Sequence, residues 1–348
     1  ERKGIVLLSK LWSAEAIESC PEVVEDSHLD YLLSGSDIIT TSCTYQASVE
    51  GFQAHFPALS LERIEHLLEE CIMVAVRSRE KFNMQQPAKR IQIAVSLGPY
   101  GAVLADGSEY TGSYKDTITK ETLKDFHRKR IRLFLRTIEA KKLKDVVFLI
   151  ETIPCMIEVQ VLLEILLLEE RNIPVLVSAT GHQTKEYHIA SGESVAELCG
   201  TINRIRAQEQ ELYAQDSLLS AFGFNCTPPS KIQSLLHEAK AHLKELPLMC
   251  YPNSGEIWME DKTWGAQENF PQLTGKEKSY TIADAVPLWY DEGARIIGGC
   301  CRTYPEGKIT KHNISLTLHT FRHQANFLCA TLPCTSEHKQ VLPSKQTK

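Results

Sequence analysis

No long apolar leader opens this 348-residue chain: "ERKGIVLLSK" is charged and lacks the apolar core of a secretory signal. The most apolar helical stretch, "VLLEILLLEE", is too short and too acidic to span a bilayer. No Pro/Gly/Ser-rich linker or break in composition divides the sequence, which favours one domain over two. Phosphate-cradling "GxxxxGK" and dinucleotide "GxGxxG" patterns are missing after any strand-like run, which removes the usual nucleotide-binding classes. There is no His-Glu-x-x-His spacing either, so His182 and His188 in "GHQTKEYHIASGES" are read as solvated loop histidines. A formal net charge of −6 argues against a nucleic-acid platform. The basic "FHRKRIRLFLR" is accordingly read as the charged face of a helix whose other side is apolar. A cytoplasmic chain with no membrane segment is expected.

What is present is ordinary globular composition, 43% hydrophobic and 24% charged, enough for a sizeable core. Strand-like runs lie at 37–42, 91–98, 146–152, 173–179, 221–226, 248–253 and 294–299. They are almost continuously apolar, as strands covered on both faces are. Helices are expected between them, beginning near Leu61, Glu121, Glu158, Ser194, Ser230, Thr281 and Lys311. The clearest repeats apolar residues at Leu61, Ile64, Leu68, Cys71 and Ala75, with Ser60 as N-cap. Repeated strand-helix units imply right-handed crossovers and a parallel sheet, either closed as a (β/α)8 barrel or open and doubly wound.

Polar and sulfur-bearing residues choose between the two. Ser42, Thr44, Glu151, Asn225, Cys226, Tyr251, Asn253, Cys300 and Cys301 all stand at or just past the C-terminal ends of strand-like runs. Convergence from so many strand ends on one rim is what a barrel mouth offers. Only seven strands are countable, so the first strand of a TIM-type barrel is expected ahead of residue 1. That makes residues 1–325 an N-terminally incomplete barrel domain and 326–348 a polar, disordered tail.

The eleven cysteines are irregularly spaced, with no CxxC pair. An odd number in a reducing compartment suggests metal binding or catalysis before a disulfide framework, and most of them read as small buried hydrophobes. Cys300 and Cys301 are adjacent, so on a continuing strand they would face opposite sides of the sheet. Placed just beyond it, with Gly298 and Gly299 allowing a kink, both could face the mouth. Cys226 holds the matching position two strands earlier. Three thiolates suit zinc and leave a fourth tetrahedral position open, as in catalytic sites. Packing cysteines fit the spacing equally well.

From Leu11 to about residue 323 the chain resembles the homocysteine S-methyltransferases. The matching stretches are "LWSA", "HLDYLLSGSDIITTSCTYQAS", "SLGPYGAVLADGSEYTGSY", "TLKDFHRKRIRLF", "ETIPCMIE", "GFNCTPP", "YPNSGE" and "GARIIGGCCRT". The resemblance implies a (β/α)8 barrel and a Zn2+ ion on Cys226, Cys300 and Cys301. It implies homocysteine held at its amino group by Glu151, with Ser42 nearby. It implies a sulfonium methyl donor, S-methylmethionine or S-adenosylmethionine, with Trp12, Tyr45 and Gln46 on the donor side and methionine as product. No catalytic side chain beyond the metal-activated substrate thiolate is implied. "YGAVLADGSEYTGSY" reads as a mouth loop that closes over substrate. Family members carry an Asp-Gly-Gly motif on the first strand, and its absence here leaves a catalytically impaired or non-catalytic zinc-binding barrel as the alternative. The oligomeric state is not legible.

Overall fold

The computed structural model describes residues 11, 13–170, 172–258, 264–267 and 282–304. All seven expected strands are among them: β1 Ile38–Thr40, β2 Gln92–Leu97, β3 Val146–Ile153, β4 Val175–Ala179, β5 Leu219–Asn225, β6 Leu248–Tyr251 and, after the short segments β7 Glu256–Trp258 and β8 Trp264–Gln267, β9 Ala294–Ile297. Every pairing in the main sheet is parallel, in the order β1-β2-β3-β4-β5-β6-β9. β7 and β8 form a separate antiparallel ribbon that the sequence reading did not anticipate.

Helices cover the outer face: α1 Ser13–Ser19, α2 Pro21–Leu33, α3 Val49–His55, α4 Leu61–Gln85, α5 Tyr100–Leu104, α6 Lys120–Ala140, α7 Met156–Leu163 continuing as a π-type turn over Glu164–Glu169, α8 Val195–Tyr213, α9 Pro229–His242 and α10 Ile282–Asp291. Local signals start several of them. Ser60 and Thr119 accept from Arg63 N and Thr122 N, Ser194 and Glu197 form a reciprocal capping box, and Pro229 occupies the first turn of α9. One detail of α4 differs from expectation. Leu61 is exposed, and the buried stripe begins a turn later at Ile64, where the helix first meets its neighbours. The helix expected near Lys311, part of the 1–325 domain and the whole 326–348 tail lie outside the described residues.

The sheet curls as a half-barrel of TIM type. The hydroxyl of Tyr31, near the end of α2, donates to Thr303 O beyond β9 at 2.8 Å and so links the two ends of the curl. A large apolar core fills the space between sheet and helices. A second, small cluster of Ala94, Val147, Leu149, Leu176, Ala221, Met249 and Ile296 fills the inside of the curl. Since side chains alternate along a strand, the next inward positions toward the C-terminal rim are Ser96, Glu151, Ser178, Gly223, Asn225 and Tyr251. The interior thus turns from apolar to polar within one step. At Gly223 no side chain is possible, because a Cβ would sit 1.7 Å from Met249 O.

Candidate metal centre

Cys226 follows the last residue of β5, and Cys300 and Cys301 lie three and four residues past β9. The fold brings them together. Their Sγ atoms are 3.0 Å (226–300), 3.5 Å (226–301) and 4.0 Å (300–301) apart, all longer than a disulfide bond. Among the described residues this is the one group of three or more His, Cys, Asp or Glu side chains able to hold a metal ion.

Local backbone geometry aims these sulfurs. Cys226 adopts φ +50°, a left-handed conformation that non-glycine residues take up mainly where surrounding structure enforces it. The kink expected from Gly298 and Gly299 is made differently. Neither glycine has a positive φ, while Arg302, just past the cysteine pair, has φ +64°. Gly299 is required for space, because a Cβ there would meet Thr303 Oγ1 at 2.4 Å. The turn is then pinned: Cys300 N donates to Pro252 O at 2.7 Å, Thr303 Oγ1 to Cys300 O at 2.7 Å, and Cys301 N to Asn253 Oδ1 at 3.3 Å. Arg302 pairs with Glu256 at 2.6 Å and anchors the start of β7.

Two side chains direct polar hydrogens at the sulfurs. Asn225 Nδ2 lies 3.9 Å from Cys300 Sγ and the Tyr110 hydroxyl 3.9 Å from Cys226 Sγ. Asn225 is also the hub of the rim: its Oδ1 accepts from Thr152 N (2.8 Å) and Ser178 Oγ (2.7 Å), and its Nδ2 donates to Thr152 Oγ1 (2.7 Å). Hydrogen bonds among the three thiols by themselves favour a single anion. S–H donation from Cys226 and Cys300 holds the Cys301 thiol well below its ordinary range, while the bond to Cys226 helps drive Cys300 well above its own. Turning all three into thiolates therefore requires a positive ion, and a soft one suits sulfur.

Glu151 is the buried carboxylate of the same interior. The Ser96 hydroxyl donates to its Oε1. Burial pushes it up to about 7, against the lowering effect of that bond, and negative charge at Cys301 adds to the rise. The next residue, Thr152, has φ +59°, so left-handed backbone marks the ends of both β3 and β5.

The other expected residues fall in different places. Tyr45 packs against the end of β2, its ring Cδ2 only 2.5 Å from where a Cβ on Gly98 would stand. Burial, then charge at Cys226 and Glu109, push its hydroxyl well above the phenol range. Gln46 is buried beside it. Ser42 is exposed just past β1, and its hydroxyl is bonded to the buried His28 Nε2 at 2.7 Å and to neither Glu151 nor a cysteine. Trp12 lies outside the described residues. His182 accepts from Thr184 N and Lys185 N in a local turn, as a loop histidine would. Site features missed at the sequence level are Ser96, Ser178 and Tyr110, whereas Asn225 was placed on the rim without its role as hub. Inward alternation from Ala94 and Leu176 leads to the two serines, and the mouth loop already contained Tyr110.

A parallel barrel-type sheet with three convergent thiols at its C-terminal rim defines an α/β protein whose mouth gathers side chains able to hold a metal ion. The chain belongs to the homocysteine S-methyltransferase family, whose sequence model it matches over residues 2–310. It is 38% identical over 312 residues to homocysteine S-methyltransferase 3 of Zea mays, covering 88% of this chain and 83% of that one. It is 36% identical over 313 residues to homocysteine S-methyltransferase YbgG of Bacillus subtilis, covering 88% of each. The metallated form of the Escherichia coli homocysteine methyltransferase MmuM superposes with a TM-score of 0.69 at 29% identity, covering 87% of this chain and 88% of the other. Among the described residues no helix is long and apolar enough to cross a membrane.

Proposed function

We propose that this chain moves a methyl group from a sulfonium donor, S-methylmethionine or S-adenosylmethionine, to the thiol of homocysteine, giving methionine, with zinc held by Cys226, Cys300 and Cys301. The sulfur triangle carries this reading. Tetrahedral coordination at a Zn–S distance of about 2.3 Å places sulfurs roughly 3.8 Å apart, and the three edges of 3.0, 3.5 and 4.0 Å bracket that value. No fourth His, Cys, Asp or Glu joins the group among the described residues, which leaves room for a substrate sulfur. When bound, the ion supplies the Lewis acidity that converts the homocysteine thiol to a thiolate at neutral pH.

The chain's own residues do the rest. Three cysteine thiolates outnumber the two charges of a divalent ion, so they keep an incoming sulfur electron-rich and attract a cationic donor toward the mouth. Tyr45 offers the donor an aromatic face, worth roughly 0.5–2 kcal/mol to a sulfonium. Glu151 receives the ammonium of homocysteine. Its raised pKa of about 7 marks a carboxylate short of a positive partner, and that partner favours its ionised form. Below pH 7 the carboxyl is protonated before substrate binds, so the homocysteine KM rises as pH falls through that value. Transfer then breaks one S–CH3 bond on the donor and forms another on the acceptor, which requires both sulfurs and the methyl in line.

Metal analysis together with methionine formation from homocysteine and each donor tests the reading. About one zinc per chain is expected, with loss of both metal and methionine in Cys300→Ala. A metal-free active protein, or hydrolysis of an ester or amide without any thiol acceptor, would overturn it.

A further inference from the structure

Arg130 on α6 is 1% exposed, yet no carboxylate contacts it directly among the described residues. Its guanidinium donates to Gly98 O, to Tyr45 O at 3.4 Å and to His127 Nδ1 at 2.8 Å, leaving Nε alone without a partner. A ring nitrogen that accepts from Arg130 carries no proton, which places the imidazole proton on Nε2, where it is donated to Glu158 Oε1 at 2.7 Å. Burial and the neighbouring guanidinium lower His127 to about 4, so the ring stays neutral. Glu158 also accepts from Tyr100 N at 2.6 Å and from the Tyr114 hydroxyl. The charge of Arg130 is thus balanced one residue away, through His127. Its fork can then serve two backbone carbonyls.

Those carbonyls belong to the segments that follow β1 and β2. The segments touch: a Cβ on Gly98 would stand 2.5 Å from both Tyr45 O and Tyr45 Cδ2. Long side chains on a helix lean toward its N terminus, and α6 begins at the rim, so Arg130 reaches up from the middle of the helix to the strand ends. We infer that Arg130 is a positioning residue for the methyl donor: by clasping the carbonyls of Tyr45 and Gly98 it fixes the aromatic ring that faces the sulfonium. This rests on the donor-side reading of Tyr45. The thiol cluster stands past the ends of β5 and β9 and shares none of these bonds.

The test compares both Michaelis constants, zinc content and melting temperature in Arg130→Met, Arg130→Lys and Gly98→Ala, using the purified chain with homocysteine and S-methylmethionine. The donor KM is expected to rise about tenfold or more in Arg130→Met, with the homocysteine KM and zinc content unchanged, and to rise less in Arg130→Lys, whose single ammonium can hold one carbonyl. Gly98→Ala pushes away both the Tyr45 ring and the Tyr45 carbonyl that Arg130 holds, and the same donor-selective rise is expected; Arg130→Lys decides the matter if Arg130→Met does not fold. Equal changes in both KM values, or a lower melting temperature with neither KM altered, would overturn the positioning role alone. A wild-type chain that forms no methionine with either sulfonium donor would overturn the functional reading and this inference together.

Discussion

At the ends of β1 and β2 buried charge is balanced by the protein itself, whereas at the ends of β3, β5 and β9 no cationic side chain among the described residues balances it. In the first region Arg130, His127, Glu158, Tyr100 and Tyr114 form a continuous hydrogen-bonded chain in which both ions have partners. In the second, three sulfurs crowd within 4.0 Å and a carboxylate is held at a pKa of about 7. The Thr180 hydroxyl, just past β4, is likewise buried without a partner. Low dielectric makes a satisfied polar network rigid and an unsatisfied one costly. The first region should therefore hold the fold, and the second should give up stability to create binding capacity.

Glu158→Ala is the strongest way to break this contrast. It strands Arg130 as an uncompensated buried cation and removes an acceptor from Tyr100, Tyr114 and His127. The expected loss is about 3–5 kcal/mol in urea denaturation, with zinc per folded chain unchanged. A loss below about 1 kcal/mol, the range of exposed pairs, would mean that the network does not carry the fold.

Glu151→Gln should act with the opposite sign. The native carboxyl titrates near 7 against an ordinary value of 4.5, so its contribution to stability is full below 4.5 and is lost as pH rises through 7. The amide has no charge to bury. The variant should gain relative to wild type between pH 5 and pH 8, by on the order of 3 kcal/mol at most, while its homocysteine KM rises. Urea curves at the two pH values read the first effect and steady-state kinetics the second. An equal difference from wild type at both pH values would refute the assigned cost of the buried carboxylate.

Much of this contrast is visible in the sequence, though unevenly. All seven strands of the main sheet follow from apolar runs, since a strand covered on both faces must be apolar throughout. Cys226, Glu151 and the cysteine pair were recoverable because they end such runs. The closed network was not. "FHRKRIRLFLR" reads as a solvated basic face, and Arg128 and Arg132 do pair with Glu169 and Glu170 on the exposed side. Arg130, however, falls on the stripe of Leu123, Phe126, His127 and Phe134, and helical spacing alone would have buried it. Its carbonyl partners Tyr45 and Gly98, and the Glu158 that it reaches only through His127, come from elements that no local pattern links to α6. The interior serines were hidden for a related reason. Ser96 and Ser178 sit within apolar runs and acquire meaning only when the register sets them beside Glu151 and Asn225.

Tyr110→Phe gives the smallest expected effect and sharpens the contrast most finely. The Tyr110 hydroxyl approaches Cys226 Sγ from the mouth loop at 3.9 Å, the outer limit for a bond to sulfur. Charge at Cys226, then burial, push the phenol well above its usual range, so it keeps its proton at neutral pH. Removing it takes one weak donor from one sulfur, a loss of about 0.5–1.5 kcal/mol at most. Zinc affinity in competition with a chelator should fall only a few-fold to about tenfold, with stability of the metal-free chain unchanged or slightly higher, because a buried hydroxyl near an electron-rich sulfur is gone. A fall in affinity as large as that of Cys300→Ala would show that the loop, and not the three strand-end sulfurs, holds the ion.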